Sequence, residues 1–147
     1  MIHFEGDRTF TLPPADVAAN LGDAAFLVSC LQNVNEIVEI SPDKAVWKLR
    51  TGFSFLSTTL EITLTVTGRS PESATYEALR RGVGATSLVR AKLTFHPADG
   101  GTRVHYTADV GERTGFLKIV SAGLIQAAAK TVIEDTWKAI EAKMQPT

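Results

Sequence analysis

The groups able to do chemistry are few and scattered. The histidines are His3, His96 and His105, and no two stand at the His-x-x-x-His spacing that puts a pair of imidazoles on one helix face for a metal. His3 and His105 fall at outward strand positions. They become neighbours of Glu5 if the first and last strands pair, but residues of a solvated face are the plainer reading, and no metal site is expected. Cys30 is the single cysteine, so an internal disulfide and a cysteine zinc cluster are both excluded. It sits in a short apolar stretch and reads as a packing residue. A Gly-x-Ser-x-Gly elbow, a P-loop and a Gly-x-Gly-x-x-Gly turn are absent. Arg8 and Arg80 share the parity of apolar strand neighbours, Phe4 and Phe10 for the first, Tyr76 and Ala78 for the second. A cation on an inner wall can hold an anionic or carbonyl head group; a bulge or a snorkelling side chain is the alternative. Tyr76, Tyr106 and Arg8 are the groups that could act as acids or polarise a substrate, and none has a base beside it in sequence.

The chain has 147 residues, 44% hydrophobic and 21% charged. That is the size and composition of one globular domain, able to bury about 68–70% of its unfolded surface without a staple. Fifteen basic residues stand against 16 acidic ones, a net charge of −1. A nucleic-acid binder would carry a basic excess, so none is expected as partner. The opening residues Met1 to Glu5 lack the basic start and apolar run of a secretion signal. The longest charge-free stretch near the other end, Ile119 to Ala129, is too short to span a bilayer. The expected compartment is the cytoplasm.

Apolar periodicity gives the elements that must position these groups. Residues 2–12 alternate as a half-buried strand, and Pro13-Pro14 ends it. Pro14 suits the first turn of a short helix reaching about Asn20. Leu21-Gly22-Asp23 breaks the chain, and Asp23 caps a second short helix, Ala24 to Leu31. Strands follow over Val34 to Ile40, Ala45 to Arg50, Leu56 to Val66, Thr75 to Gly82, Ala85 to Phe95 and Thr102 to Val110, with a hairpin signal at Asp99-Gly100-Gly101. The alternation of Leu60, Ile62, Leu64 and Val66 with Glu61, Thr63, Thr65 and Thr67 is unbroken. The period then changes. Thr114 to Lys143 reads as one helix, roughly 45 Å long, with Phe116, Val120, Gly123, Leu124, Ala127 and Thr131 as its apolar stripe. The economical arrangement is an α+β domain over 1–147: a curved antiparallel sheet of about seven strands around a long C-terminal helix, with two short helices after the first strand.

That order resembles the helix-grip superfamily of StAR-related lipid-transfer and birch-pollen-allergen-like proteins (SRPBCC). Within it the chain is similar to the carbon monoxide dehydrogenase G-subunit family. The likeness is carried by Phe4-Glu5-Gly6, Leu12-Pro13 before Asp16-Val17, Leu21-Gly22-Asp23, Gly82-Val83-Gly84-Ala85, Gly100-Gly101-Thr102-Arg103-Val104 with Tyr106, and Leu124-Ile125 to Lys130. The chain departs from that family's pattern at Leu31-Gln32-Asn33, where a Pro-Gly is usual, and at Thr86-Ser87-Leu88.

The resemblance implies a cavity between sheet and helix that holds an apolar ligand. Candidate lining residues are Phe4 and Arg8 on the first strand, Phe26 on the second short helix, and Trp47, Phe53, Phe55, Leu60 and Ile62 along the next strands. Tyr76, Val89 and Tyr106 continue the wall, and Phe116, Val120, Gly123, Leu124 and Ala127 face it from the long helix. The expected function is non-enzymatic binding or transport of a lipid, quinone or polyketide-like molecule, with no cofactor. The resemblance also implies two alternatives: an accessory role in maturation or membrane recruitment of a molybdenum hydroxylase such as carbon monoxide dehydrogenase, or a cyclase or dehydratase. Apolar residues off the main stripe of the last helix, such as Ile125 and Val132, leave open a second buried face, a homodimer contact or a peripheral membrane contact.

Overall fold

A computed structural model of the chain describes residues 2–31, 34–53, 56–82, 85–113 and 121–144. Strand β1 runs Ile2–Phe10, followed by helices α1 (Pro14–Leu21) and α2 (Ala24–Cys30). Six more strands follow: β2 (Glu36–Ile40), β3 (Lys44–Phe53), β4 (Leu56–Arg69), β5 (Ser73–Gly82), β6 (Ala85–Ala98) and β7 (Gly101–Arg113). Helix α3 (Ala122–Met144) closes the order. All seven strands form one antiparallel sheet in the order β1-β7-β6-β5-β4-β3-β2. The first strand thus lies at one edge, and α1 and α2 carry the chain to the other. Bulges between Ile37 and Glu39, Val66 and Gly68, and Ser87 and Val89 add the local bending that curves a sheet.

Local chemistry accounts for the ends of the elements. Pro14 opens α1, where its missing N–H has no partner to lose. Asp23 caps α2, its Oδ1 accepting from the backbone N–H of Ala25 at 2.8 Å and of Phe26 at 3.3 Å. The β6–β7 hairpin turns at Asp99-Gly100, and Gly100 has φ +76°, which glycine adopts without a Cβ penalty.

The register fixes which side chains face inward. Across the sheet, Phe4 pairs with Ala108, Ala108 with Ala91, Ala91 with Tyr76, and Tyr76 with Val66. These apolar positions form the concave face. The core fills one end of it: Phe10, Leu93, Phe95 and Val104 from the sheet pack with Val17 and Leu21 of α1 and with Trp137, Ile140 and Met144 of α3. A second cluster joins Ala24 and Val28 of α2 to Ala45 and Trp47 of β3.

One expectation lies partly outside the described residues and one is corrected. The helix described begins at Ala122, and residues 114–120, with Phe116 and Val120, lie outside the described residues. Its buried stripe is also different. Trp137, Ile140 and Met144 are buried with Ile133 packed against them, whereas Gly123, Leu124, Ala127 and Thr131 are exposed. The largest apolar side chains set the rotation of the helix, and Gly123 and Ala127 bury too little area to compete with Trp137. The C-terminal half of α3 is the gripped half; Leu124 is 67% exposed and Val132 63%.

Candidate functional site

Beyond the packed core the concave floor continues as an apolar surface. Val89 lies opposite both Ala78 and Val110, and Ile2 pairs with Val110. On the far side Ala78 pairs with Leu64, and Ile62 with Trp47. Phe4, Ile62, Ala78 and Val89 are partly buried; Leu60, Ala108 and Val110 are buried. Strand alternation produces this floor, because inward positions on six strands deliver apolar groups to one side.

The sequence-derived candidates divide into four groups. Phe4, Trp47, Leu60, Ile62, Tyr76, Val89 and Tyr106 come together on the concave face. Phe26 joins them from α2, packed against the main core. Phe53 lies in β3, but its side chain is not described, and Phe55 is outside the described residues. Gly123, Leu124 and Ala127 are exposed on the N-terminal half of α3.

Polar groups punctuate the floor sparingly. Tyr76 is buried and its hydroxyl donates to the Leu21 carbonyl; burial pushes its pKa up, so it does not ionise near neutrality. Tyr106 is partly buried, its ring 5.3 Å from that of Trp137. Arg8 Nη1 lies 3.5 Å from Glu141 Oε1 of α3. Arg69 also faces inward, an outcome of the Val66/Gly68 bulge that simple alternation misses. It donates to the Gly22 and Pro42 carbonyls and to Asp43. Arg80 stands opposite Ile62 and Ser87. It is reachable from solvent, yet the flanking strands strip water from its guanidinium and lower its pKa. Trp47 Nε1 is buried without a hydrogen-bond partner.

The outer face carries a separate cluster. His3 Nδ1 is 2.6 Å from Asp109 Oδ1, and His105 Nδ1 is 3.0 Å from Asp7 Oδ1. Among the described residues no three His, Cys, Asp or Glu groups are arranged to hold a metal ion. Cys30 is buried, and desolvation raises its thiol pKa, the inert state of a packing cysteine. One concavity of about 420 Å³ lies where Arg8, Phe10, Glu141 and Met144 meet. Another of about 220 Å³ runs over Thr67, Thr75, Arg90 and Lys92.

A curved antiparallel sheet gripping a long C-terminal helix, with two short helices closing one end, is the helix-grip fold. The chain belongs to the carbon monoxide dehydrogenase G-subunit (CoxG) family, whose profile matches residues 6–145. Among solved structures it is similar to a conserved protein from Geobacillus kaustophilus, with 19% identity and a TM-score of 0.80, over 97% of this chain and 95% of that one. It is similar as well to a protein from Chromobacterium violaceum, with 12% identity and a TM-score of 0.68, over 99% and 98%. Ara h 8.0201 shares 18% identity at a TM-score of 0.64, over 97% of each chain. At these identities the likeness is one of fold. No curated protein matches the chain.

Proposed function

We propose that the protein binds a hydrophobic small molecule, a lipid, quinone or polyketide-like compound, between the concave face and α3, and carries it in the cytoplasm without converting it. The observation behind this reading is the apolar floor that continues past the packed core, through Phe4, Ala108, Val89, Ala78 and Ile62. The driving force is burial, worth about 0.8 kcal/mol for each methylene removed from water. The proposed contacts are the floor residues together with Trp47, Leu60 and Tyr106; Gly123 and Ala127 leave room on the helix side. Tyr76, its hydroxyl engaged by Leu21, serves as wall and not as acid. That engagement weighs against the cyclase alternative.

The test is native mass spectrometry of protein purified without detergent, then solvent extraction and identification of the bound species. A stoichiometric apolar adduct supports the reading. Protein that is empty from every preparation and binds no apolar probe overturns it. Membership of the CoxG family favours a second reading, an accessory contact with a molybdenum hydroxylase in maturation or membrane recruitment. No described helix is long and apolar enough to cross a membrane; the membrane contact proposed in this reading is a peripheral one. Co-purification of such an enzyme with the tagged chain supports this second reading, and its absence from cells expressing both counts against it.

A further inference from the structure

We infer that the ligand of the concave face is an amphiphile with a carboxylate head seated on Arg80. This inference rests on the binding reading above and names the head group. The register puts four arginines at inward strand positions, Arg8, Arg69, Arg80 and Arg113; the side chain of Arg113 is not described. Arg8 is paired with Glu141. Arg69 is held by Gly22, Pro42 and Asp43. Arg80 makes no ion pair or hydrogen bond with a described residue, and no Asp or Glu holds an inward position in the paired strands. Among the described residues, the Arg80 end of the floor therefore carries a positive charge with no counter-charge beside it. Arg80 is exposed at the open end of the floor, so a ligand can reach its guanidinium, which the flanking strands partly desolvate. A carboxylate presents two oxygens that match the fork of one guanidinium.

The register fixes the neighbours of Arg80. Trp47, Ile62, Arg80 and Ser87 form a single row across β3, β4, β5 and β6. Trp47 is 5% exposed, and its buried indole N–H has no partner, although such groups usually find one. That N–H is enclosed by the packing of α2 on β3 and out of a ligand's reach; the Arg80 guanidinium, a pure donor, is the group whose occupant must supply acceptors. With the head at Arg80, an alkyl or polyenyl tail would lie over Ile62, Ala78 and Val89, the apolar neighbours in register with it.

The experiment titrates the full chain with a dansyl-labelled undecanoic acid and with its methyl ester, following dansyl fluorescence. The unmodified protein is expected to prefer the acid by about tenfold, the yield of one charge-assisted contact. Arg80→Gln removes the preference by weakening the acid and leaving the ester unchanged, and Arg80→Lys restores part of it. Lys92→Gln on the outer face keeps the preference. Equal binding of acid and ester by the unmodified chain overturns the inference and leaves the carrier reading standing. Binding of neither overturns both. Persistence of the preference in Arg80→Gln also overturns it. The acid–ester comparison in the unmodified chain decides the matter even where a variant does not fold.

Discussion

The indole of Trp137 lies 5.3 Å from the ring of Tyr106, tilted by 41°, and 6.2 Å from that of Phe10. This aromatic contact fixes the C-terminal half of α3 against β7 and β1. The N-terminal half has no equivalent anchor among its described residues, and Leu124 is 67% exposed. Trp137→Ala should therefore lower the unfolding free energy by about 3–5 kcal/mol, the range for a buried aromatic truncation. Leu124→Ala should change it by about 0.5 kcal/mol or less. Urea unfolding followed by circular dichroism checks both. A Leu124→Ala loss as large as that of Trp137→Ala would show the helix packed along its whole length.

Gly6 stands opposite Tyr106 in the β1–β7 register. A Cβ built at Gly6 would lie 2.8 Å from the Tyr106 Oη and 2.9 Å from its Cε1. The Tyr106 ring covers this strand position and leaves no space for a side chain there. Gly6→Val should displace the ring and destabilise by about 1–3 kcal/mol, as overpacking does. Combining it with Tyr106→Leu should recover part of the loss, because the two changes share one contact. Strict additivity in that double-mutant cycle would place the ring elsewhere.

The α1–α2 junction, the β2–β3 turn and the end of β4 are held together by one side chain. Arg69 donates from Nε to the Gly22 carbonyl at 2.8 Å, from Nη2 to the Pro42 carbonyl at 2.9 Å and from Nη1 to Asp43 Oδ1 at 2.9 Å. Lysine cannot serve three acceptors in this fork geometry. Arg69→Lys should destabilise nearly as much as Arg69→Ala, by about 1 kcal/mol, because the Gly22 carbonyl is the part-buried acceptor and the Pro42 and Asp43 contacts are exposed. Asp23→Ala, which removes the α2 cap next to the clamp, should cost about 1 kcal/mol. Thermal unfolding of the three variants separates clamp from cap; full rescue by lysine would reduce Arg69 to a simple charge.

The fold is legible because most of the chain obeys one period at a time. Leu60 to Thr67 alternates strictly and is a strand facing two ways. Pro14 and Asp23 mark the starts of α1 and α2, and both stand where their chemistry requires. The inward set containing Phe4, Val89 and Tyr106 follows from parity. Arg69 escapes parity because a bulge at Gly68 reverses it beyond Val66; the glycine inside a strand is the available signal. The stripe of α3 is hard to assign from its first half because alanine and glycine fit both sides of a helix. Trp137, Ile140 and Met144 are the informative residues, and extending their spacing back to Ile133 gives the buried face. The orphan indole of Trp47 depends on three-dimensional packing, which no periodicity carries.

On the outer face, His3 donates from Nδ1 to Asp109 at 2.6 Å and has Glu5 3.5 Å from Nε2. The hydrogen bond to Asp109 first, and that to Glu5 second, raise its pKa above the ordinary 6.5. The charged imidazolium is therefore favoured in the folded state. A folded pKa above the unfolded one stabilises the protein fully below the unfolded value, and that contribution fades as pH rises through the raised folded value. His3 should titrate above 6.5 in an NMR titration of its imidazole carbons. Asp109→Asn should move it down toward the ordinary value, because the first cause of the shift is gone. The stability difference between the unmodified chain and Asp109→Asn should be greatest on the acid side of this window and should shrink toward alkaline pH. A His3 titration at or below 6.5 in the unmodified chain, or a stability difference that grows with pH across the window, would break the link between this contact and the shift.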